Sequence, residues 1–413
     1  MRSSVILFAT DLVDEGYELV VDRVRELAGA DALTMACNYH HSRDVMPHNP
    51  KRKVQFMKGG VFFRPDPRRF AGLRIQPDVA DIARDDDPLD RLIRTAERRG
   101  MRVKAWTNGM HSTVHASAHP DCAVSNLFGD VYITTLCPAN PDVRAYVRAM
   151  AADLGRYPLE AYLAESVCFM PFDHGYHHER TLVPISATVK YLLSLCFCRH
   201  CRAAARGVAV DALQATLRTA VERALNGEDG PLDGLALERA TVATLAGGEM
   251  AGYLDAREAT VTSLVAELAE ASGPVPLHAM EWSGGLRAVG GGMPVKSGEG
   301  TACDRAWQDG VDLARLAAAG RGLSVLGYVP DPATLHDDLA GYRARLPAGT
   351  SLSVALRPMP PDCDSAAALA AKLRVLAALD VAAADFYHYG FMRLANLAWA
   401  GEARKLAGGG GTA

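Results

Sequence analysis

Three cysteines crowd into a short stretch of the chain, LCFCRHC, together with one histidine. They are Cys196, Cys198, Cys201 and His200. Thiolates at this spacing suit a tetrahedral zinc ion, which takes four ligands in a structural site. Four protein ligands leave no open position for water, so such a site would stabilise the fold and would not catalyse. The alternative is a group of ordinary buried cysteines near the start of a helix.

Two glutamates lie at the ends of apolar runs, Glu165 in LEAYLAE and Glu281 in HAMEW. A carboxylic acid among apolar neighbours has a raised pKa and can donate a proton to a leaving oxygen. Two such acids facing one pocket could hydrolyse a glycoside, with retention or inversion set by their separation. Glu165 could instead form a structural salt bridge, and Glu281 could anchor a substrate hydroxyl or neutralise Arg357.

A run rich in histidine follows the first of these glutamates, in FMPFDHGYHHER. We expect His174 to transfer protons near neutral pH, and Asp173, Tyr176 and His177 to bind substrate. The other interpretation is a catalytic metal held by two histidines of this run and a carboxylate, with His40 and His41 as further ligands. The third interpretation of this run is a solvated polar loop without a function of its own. The spacing is not H-E-x-x-H, which argues against a metalloprotease.

Eight short apolar runs alternate with helical patterns along the chain. They span 5–9, 32–36, 102–106, 159–165, 276–282, 323–329, 351–356 and 382–389. This alternation is typical of a parallel sheet, and eight repeats favour an α/β fold of the closed (β/α)8 barrel type over an open doubly wound sheet. No G-x-G-x-x-G follows the first run, which also argues against the open sheet. Helix starts are predicted at Asn140-Pro141 and Asp331-Pro332.

We expect one barrel over 1–406 with two insertions and a flexible tail at 407–413. A loop insertion at 37–87 follows the second strand. A mostly helical insertion at 166–275 follows the fourth strand and carries the cysteines. Long loops in compact domains usually have a function, and both insertions lie on the side where barrel active sites form.

Polar and aromatic residues follow the predicted strands, where barrel side chains face the pocket. Those expected to bind substrate are Asn38, His40, Trp106, Asn108, Trp282, Tyr328, Arg357, His388 and Tyr389, with His41 and His111 in the same regions. Aromatic faces combined with amides and acids suit a sugar, whose ring stacks and whose hydroxyls need directed hydrogen bonds. Arg357 could also clamp a carboxylate or a phosphate.

The fourth zinc ligand could be Cys137, His200 or Cys168. Cys137 is favoured because a barrel brings adjacent loops together at one rim.

The stretch LCPANPDVRAYVRAMAADL, a strand ending in Glu165 and the later CFCRHCRAAA resemble the β-galactosidases of glycoside hydrolase family 42 and related barrels, over roughly 130–205. The resemblance implies a structural zinc on Cys137 together with the three clustered cysteines, and an acid/base role for Glu165. The family has an asparagine before this glutamate, where this chain has Ala164. The family's nucleophile ends the seventh strand, where this chain has Arg357 and no nearby carboxylate.

The bulk composition argues against several classes of protein. The chain has 413 residues, a net charge of −4 and no basic block, so binding to nucleic acid or to an anionic membrane is not indicated. No stretch of about 18 apolar residues predicts a membrane span. Nine cysteines without a secretion signal suggest a reducing cytoplasm. A homo-oligomer remains open.

The leading hypothesis is a glycoside hydrolase-like enzyme that acts on a small sugar or glycoside through carboxylate acid/base chemistry. A metal-dependent isomerase, lyase or hydrolase that uses the histidine-rich loop and a second, catalytic metal is the first alternative. A non-catalytic sugar-binding barrel is the second, since no acid ends the seventh strand. Fold alone does not decide between them.

Overall fold

The computed structural model describes residues 1–176, 180–284 and 300–408. Eight parallel strands close into a barrel in which each strand pairs with its neighbours in chain order and the last pairs with the first. The strands are β1 (Arg2–Phe8), β2 (Ala32–Ala36), β3 (Arg102–Asn108), β4 (Tyr162–Glu165), β5 (Leu277–Glu281), β6 (Gly322–Leu326), β7 (Ser351–Leu356) and β8 (Ala383–Phe386). The predicted (β/α)8 barrel is therefore confirmed.

Helices surround the barrel and fill the insertion after β4. The α-helices are Ala9–Glu15, Tyr17–Leu27, Pro67–Phe70, Pro88–Glu97, Thr113–Ala118, Pro141–Leu154, Ala187–Ser194, Arg199–Ala204, Val210–Leu225, Arg239–Ala243, Glu249–Ala271, Leu313–Gly320, Pro332–Arg345, Ala366–Ala378 and Leu394–Gly408. Short 3-10 helices are Asp81–Ala83, Pro120–Cys122, Leu245–Gly248 and Ala302–Asp309. None of these described helices is long and apolar enough to cross a bilayer.

Two helix starts follow the sequence signals. The side chain of Asn140 accepts hydrogen bonds from the backbone N–H groups of residues 142 and 143, and Pro141 occupies the first helical position. Asp331 caps the helix Pro332–Arg345 in the same way, by accepting from the N–H of Thr334. The last helix extends to Gly408, and residues 409–413 of the predicted tail lie outside the described residues.

A buried polar layer crosses the barrel interior. Lys104 on β3 donates to Asp385 on β8 at 2.8 Å, and Ser4 on β1 bonds to both Asp385 and Thr34. These side chains point inward, so residues at even spacing along the same strands also point inward. This rule directs Trp106 on β3, and Tyr387 directly after β8, into the carboxyl-terminal opening of the barrel.

The segment between β2 and the helix Pro88–Glu97 contains two short antiparallel pairs, Asn38–Tyr39 with Gly60–Val61 and Ser42–Val45 with Val54–Met57. A buried polar contact fastens this segment to the barrel: His48 lies 3.0 Å from a carboxylate oxygen of Glu15 and bonds to the carbonyl of Tyr389. The described residues between β4 and β5 are mostly helical and pack around a second apolar core, to which Leu127 and Trp307 also belong.

Candidate functional site

Glu165 lies at the end of β4, inside the barrel opening. The indole Nε1 of Trp106 donates to its Oε2 at 2.9 Å. Burial raises the pKa of Glu165 to about 7, and the Trp106 hydrogen bond lowers it by a smaller amount. Near neutral pH this carboxyl group is present in both protonation states, which is the condition for donating a proton and taking it back.

Aromatic side chains surround Glu165. The Tyr39 ring centroid lies 5.0 Å from that of Trp106, and the Tyr387 centroid lies 6.2 Å from it. The side chains of Tyr39 and Tyr387 interact, and the ring centroid of Tyr328 lies 5.7 Å from that of Tyr387. Burial raises the pKa of all three phenols, so they stay protonated. We call this group, with Glu165, the mouth; it offers apolar faces beside hydroxyl donors.

Arg357, at the end of β7, borders the mouth. Its guanidinium lies 4.4 Å from the Tyr328 ring centroid and forms a two-pronged ion pair with Asp362, at 2.5 and 2.8 Å. The partner of Arg357 is thus the nearby Asp362 and not Glu281. The buried pair holds the guanidinium in a fixed plane against the aromatic wall.

Glu281 does not lie at the mouth, contrary to the prediction. It is 1% exposed, and its carboxylate accepts hydrogen bonds from the hydroxyl of Tyr342 and from the backbone and hydroxyl of Ser283. Tyr342 belongs to the helix Pro332–Arg345, which packs outside the barrel. Successive side chains of a strand point to opposite faces, so Glu281 faces that helix. The structure does not bring Glu281 and Glu165 into one pocket.

Two residues that follow the last strand, His388 and Tyr389, also differ from the prediction that they bind substrate. His388 and Tyr389 are both 0% exposed, so neither is placed to touch a substrate. His388 packs 4.2 Å from Phe8 and 4.3 Å from Phe391, measured between ring centroids. Tyr389 donates to Glu15 at 2.9 Å. Tyr387, one residue before His388, contacts Trp106 and Tyr328 and occupies the mouth instead.

Histidines from three segments meet beside the mouth. His40 stacks on His111 with ring centroids 3.8 Å apart, and the ring of His174 lies 4.9 Å from that of His111. Burial and the neighbouring imidazoles lower the pKa of His111 well below its usual value. Gly175, at φ 107°, lets the histidine-rich loop pass close to this ring, because a Cβ there would lie 3.2 Å from Nε2 of His111.

The remaining predicted residues occupy varied positions. Asn38 bonds through its side chain to the backbone N–H and carbonyl of Asn108, at 2.7 and 2.9 Å, and so joins the ends of β2 and β3. Asp173 forms an ion pair with Lys190 at 2.7 Å. Tyr176 is 60% exposed. His177 lies outside the described residues.

Two residues near the site had no sequence signal. Asp309 accepts from the indole of Trp282 at 2.6 Å, and the Trp282 ring lies 5.2 Å from that of His174. Tyr39 precedes the His40-His41 pair and contacts both His40 and Trp106. Asp309 ends a 3-10 helix far along the chain, so no local pattern reveals its contact with Trp282.

The four predicted thiols lie together. Cys137 Sγ is 3.6, 3.4 and 3.8 Å from the sulfurs of Cys198, Cys201 and Cys196. A zinc ion with sulfur ligands at about 2.3 Å requires sulfur–sulfur distances of about 3.8 Å in a tetrahedron. These separations are far too long for a disulfide and fit a metal cage. Cys137 precedes the helix that leads into β4, and the other three lie in the insertion.

The fold is similar to that of several enzymes that act on carbohydrates. The catalytic domain of a β-amylase from Paenibacillus polymyxa matches with a TM-score of 0.58 at 10% identity, over 100% of this chain and 99% of that one. α-L-fucosidase isoenzyme 2 from Paenibacillus thiaminolyticus matches with a TM-score of 0.54 at 12% identity, over 99% of this chain and 49% of that one. A β-galactosidase from Marinomonas ef1 gives 0.53 at 12% identity, over 98% and 59%.

This chain thus has the barrel fold found in glycoside hydrolases. It spans about half the length of the fucosidase and about three fifths of that of the β-galactosidase. No protein-family model matches the sequence, and no curated protein matches it. At these identities the likeness concerns the fold, and the activity has to be argued from the residues of the site.

Proposed function

We propose that this protein is a glycoside hydrolase-like enzyme that acts on a small sugar or glycoside, with Glu165 as the general acid. One observation carries the proposal: a carboxyl group with a pKa of about 7 at the centre of an aromatic barrel mouth. Trp106 orients this group, and the faces of Tyr39 and Tyr387 offer stacking surfaces beside it. The resemblance to family 42 and the similarity of fold support the assignment.

The proposal concerns the proton-donating half of the reaction. In the described structure Glu281 lies behind the barrel wall, so the acid at the end of β5 is not the partner of Glu165. Arg357 stands where family 42 has its nucleophile, and it is paired with Asp362. A guanidinium on an aromatic wall can orient a substrate hydroxyl or carboxylate, and we assign Arg357 that binding role.

The four cysteines are proposed to bind a structural zinc ion. The sulfur–sulfur distances support this, since they lie near those of a tetrahedral thiolate cage. The ion would join the loop after β3 to the helical insertion after β4. It would thereby hold the insertion against the barrel, and no step of the reaction would run through it.

A second candidate function is a metal-dependent isomerase, lyase or hydrolase. The observation that favours it is the convergence of His40, His41, His111 and His174 next to Glu165's aromatic neighbours. A metal held there could polarise a substrate oxygen.

A turnover screen separates these functions. Aryl glycosides of several sugars and anomeric forms are incubated with the protein before and after mild chelation, while sugar binding is followed by calorimetry. Turnover that survives chelation supports the glycoside hydrolase. Turnover that is lost on chelation and restored by metal supports the second candidate. Saturable sugar binding without any turnover would instead identify a non-catalytic sugar-binding barrel and refute the catalytic proposal.

A further inference from the structure

The histidines beside the mouth form a compact group of possible metal ligands. One ligand nitrogen from each of His40, His41 and His111 lies within 4.8 Å of the other two. Zinc–nitrogen bonds of about 2.0–2.1 Å place tetrahedral ligands about 3.3 Å apart. The group is thus looser than a filled site. His40 and His41 are half-buried, so solvent reaches both side chains, and binding one ion would require the three rings to move closer together.

His111 gives an independent reason to expect a ligand. It is 3% exposed; one ring nitrogen interacts with the backbone of Gly175, and neither makes a hydrogen bond of ordinary geometry with any residue in the described part of the chain. Buried polar groups in folded proteins are almost always satisfied, because an unsatisfied one costs about 1–3 kcal/mol. A metal ion would satisfy one nitrogen of this ring.

The hydrogen bonds of the other two histidines support the same arrangement. Nδ1 of His40 lies 2.7 Å from the carbonyl oxygen of His41, so this nitrogen carries the proton and Nε2 has the lone pair. Nδ1 of His41 lies 2.5 Å from Oγ1 of Thr113, so a metal ion would be bound through Nε2. Metal-binding histidines commonly have one nitrogen held in this way by a carbonyl or hydroxyl while the other binds the ion.

We propose that His40, His41 and His111 bind a divalent transition-metal ion, with zinc as the best match to three imidazole nitrogens. This site is separate from the four thiols, and it does not depend on the proposed glycosidase activity. Three protein ligands leave at least one coordination position for a water molecule or a substrate oxygen. The ring of His174 lies 4.9 Å from that of His111, so it is close to the three proposed ligands.

The site lies within reach of the mouth. His40 packs 4.1 Å from Tyr39, Tyr39 packs 5.0 Å from Trp106, and Trp106 donates to Glu165. A sugar hydroxyl bound to the ion would therefore belong to the same molecule that contacts this aromatic wall. The chemical class of ligand this arrangement accepts is a polyhydroxylated compound with neighbouring oxygens.

Metal content and metal titration test the site. Purified full-length protein is dialysed against a mild chelator, its metal is measured by mass spectrometry, and zinc is then added back in a calorimeter. We expect about one zinc per chain to resist dialysis, in the thiol cage, and about one further zinc to rebind. His111→Ala should abolish the rebinding event and leave the resistant zinc.

Two further variants keep the test decisive. Since His111 is buried, His41→Gln serves as a milder change that should also abolish rebinding. His119→Ala, outside the histidine group, should rebind zinc like the wild type. A wild-type protein that rebinds no zinc, or rebinding that persists in both His111→Ala and His41→Gln, overturns the proposal. Because the readout is binding, it stays interpretable whether or not the protein hydrolyses glycosides.

Discussion

Glu165 and Glu281 end neighbouring strands of the barrel, and their surroundings are opposite. Glu165 faces inward, is oriented by the indole of Trp106, and has a pKa of about 7. Glu281 faces outward and is locked by Tyr342 and Ser283 behind the barrel wall. The comparison shows that a carboxylate at a strand end is a site residue only when the alternation of side chains points it inward.

The largest expected effect comes from Glu165→Gln. The amide keeps an oxygen that accepts from Trp106 but has no acidic proton to transfer to a leaving group, so kcat/KM should fall by about 10²- to 10⁴-fold. Thermal unfolding of the variant should match that of the wild type. If the folded variant turned over substrate at the wild-type rate, Glu165 would not be the general acid.

Removing one cysteine of the four-thiol group should lower the stability of the protein. Cys198→Ser removes one thiolate from the group that joins the loop after β3 to the insertion after β4, so the variant should lose about one zinc per chain and unfold at a lower temperature. Cys363→Ser, a buried cysteine outside the cage, is the matched control and should keep its zinc. Unchanged zinc content in Cys198→Ser would contradict the cage.

Glu281→Gln is the counterpart of Glu165→Gln, and we expect it to lower stability while leaving turnover unchanged. The amide presents N–H donors to a hydroxyl and a backbone N–H, so the free energy of unfolding should fall by about 1–3 kcal/mol. Turnover per folded molecule should be unchanged because Glu281 does not reach the mouth. Denaturant titration gives the first quantity and kinetics the second. A large loss of turnover in a Glu281→Gln variant of wild-type stability would show that Glu281 also acts in the reaction. The contrast between the two glutamates would then be wrong.

The smallest effect concerns pH. Acid catalysis needs protonated Glu165, so kcat/KM should decline as the pH rises through about 7. The Trp106 hydrogen bond lowers this pKa, and Trp106→Phe should therefore move the decline to higher pH. Trp307→Phe, in the second apolar core, should leave the profile unchanged. A decline that moves to lower pH in Trp106→Phe would show that another group controls it.

The sequence predicted the barrel and several of its local signals. The eight strands and the caps at Asn140 and Asp331 follow from short-range patterns, which is why they could be read without a structure. The grouping of Cys137 with the later cysteines also agrees with the expectation from adjacent loops.

What the sequence left open was the direction of individual side chains. Barrel strands are buried on both faces, so they lack the polar–apolar alternation that would reveal which residues point inward. An error of one residue in assigning the inward face of a strand therefore selects the wrong neighbour. It selects Glu281 and not Trp282 in one case, and His388 and not Tyr387 in the other. Contacts between distant loops, such as that between His40 and His111, depend on tertiary packing and leave no local pattern.

The salt bridge between Lys104 and Asp385 has a consequence for synthesis on the ribosome. The lysine is made early and its carboxylate arrives only with the last strand. An ammonium group cannot be enclosed cheaply without its counter-ion, since desolvation costs several kcal/mol. In a polypeptide that stops before residue 383, Lys104 would lack this carboxylate, so enclosing its ammonium group in a partial barrel would carry the full desolvation cost.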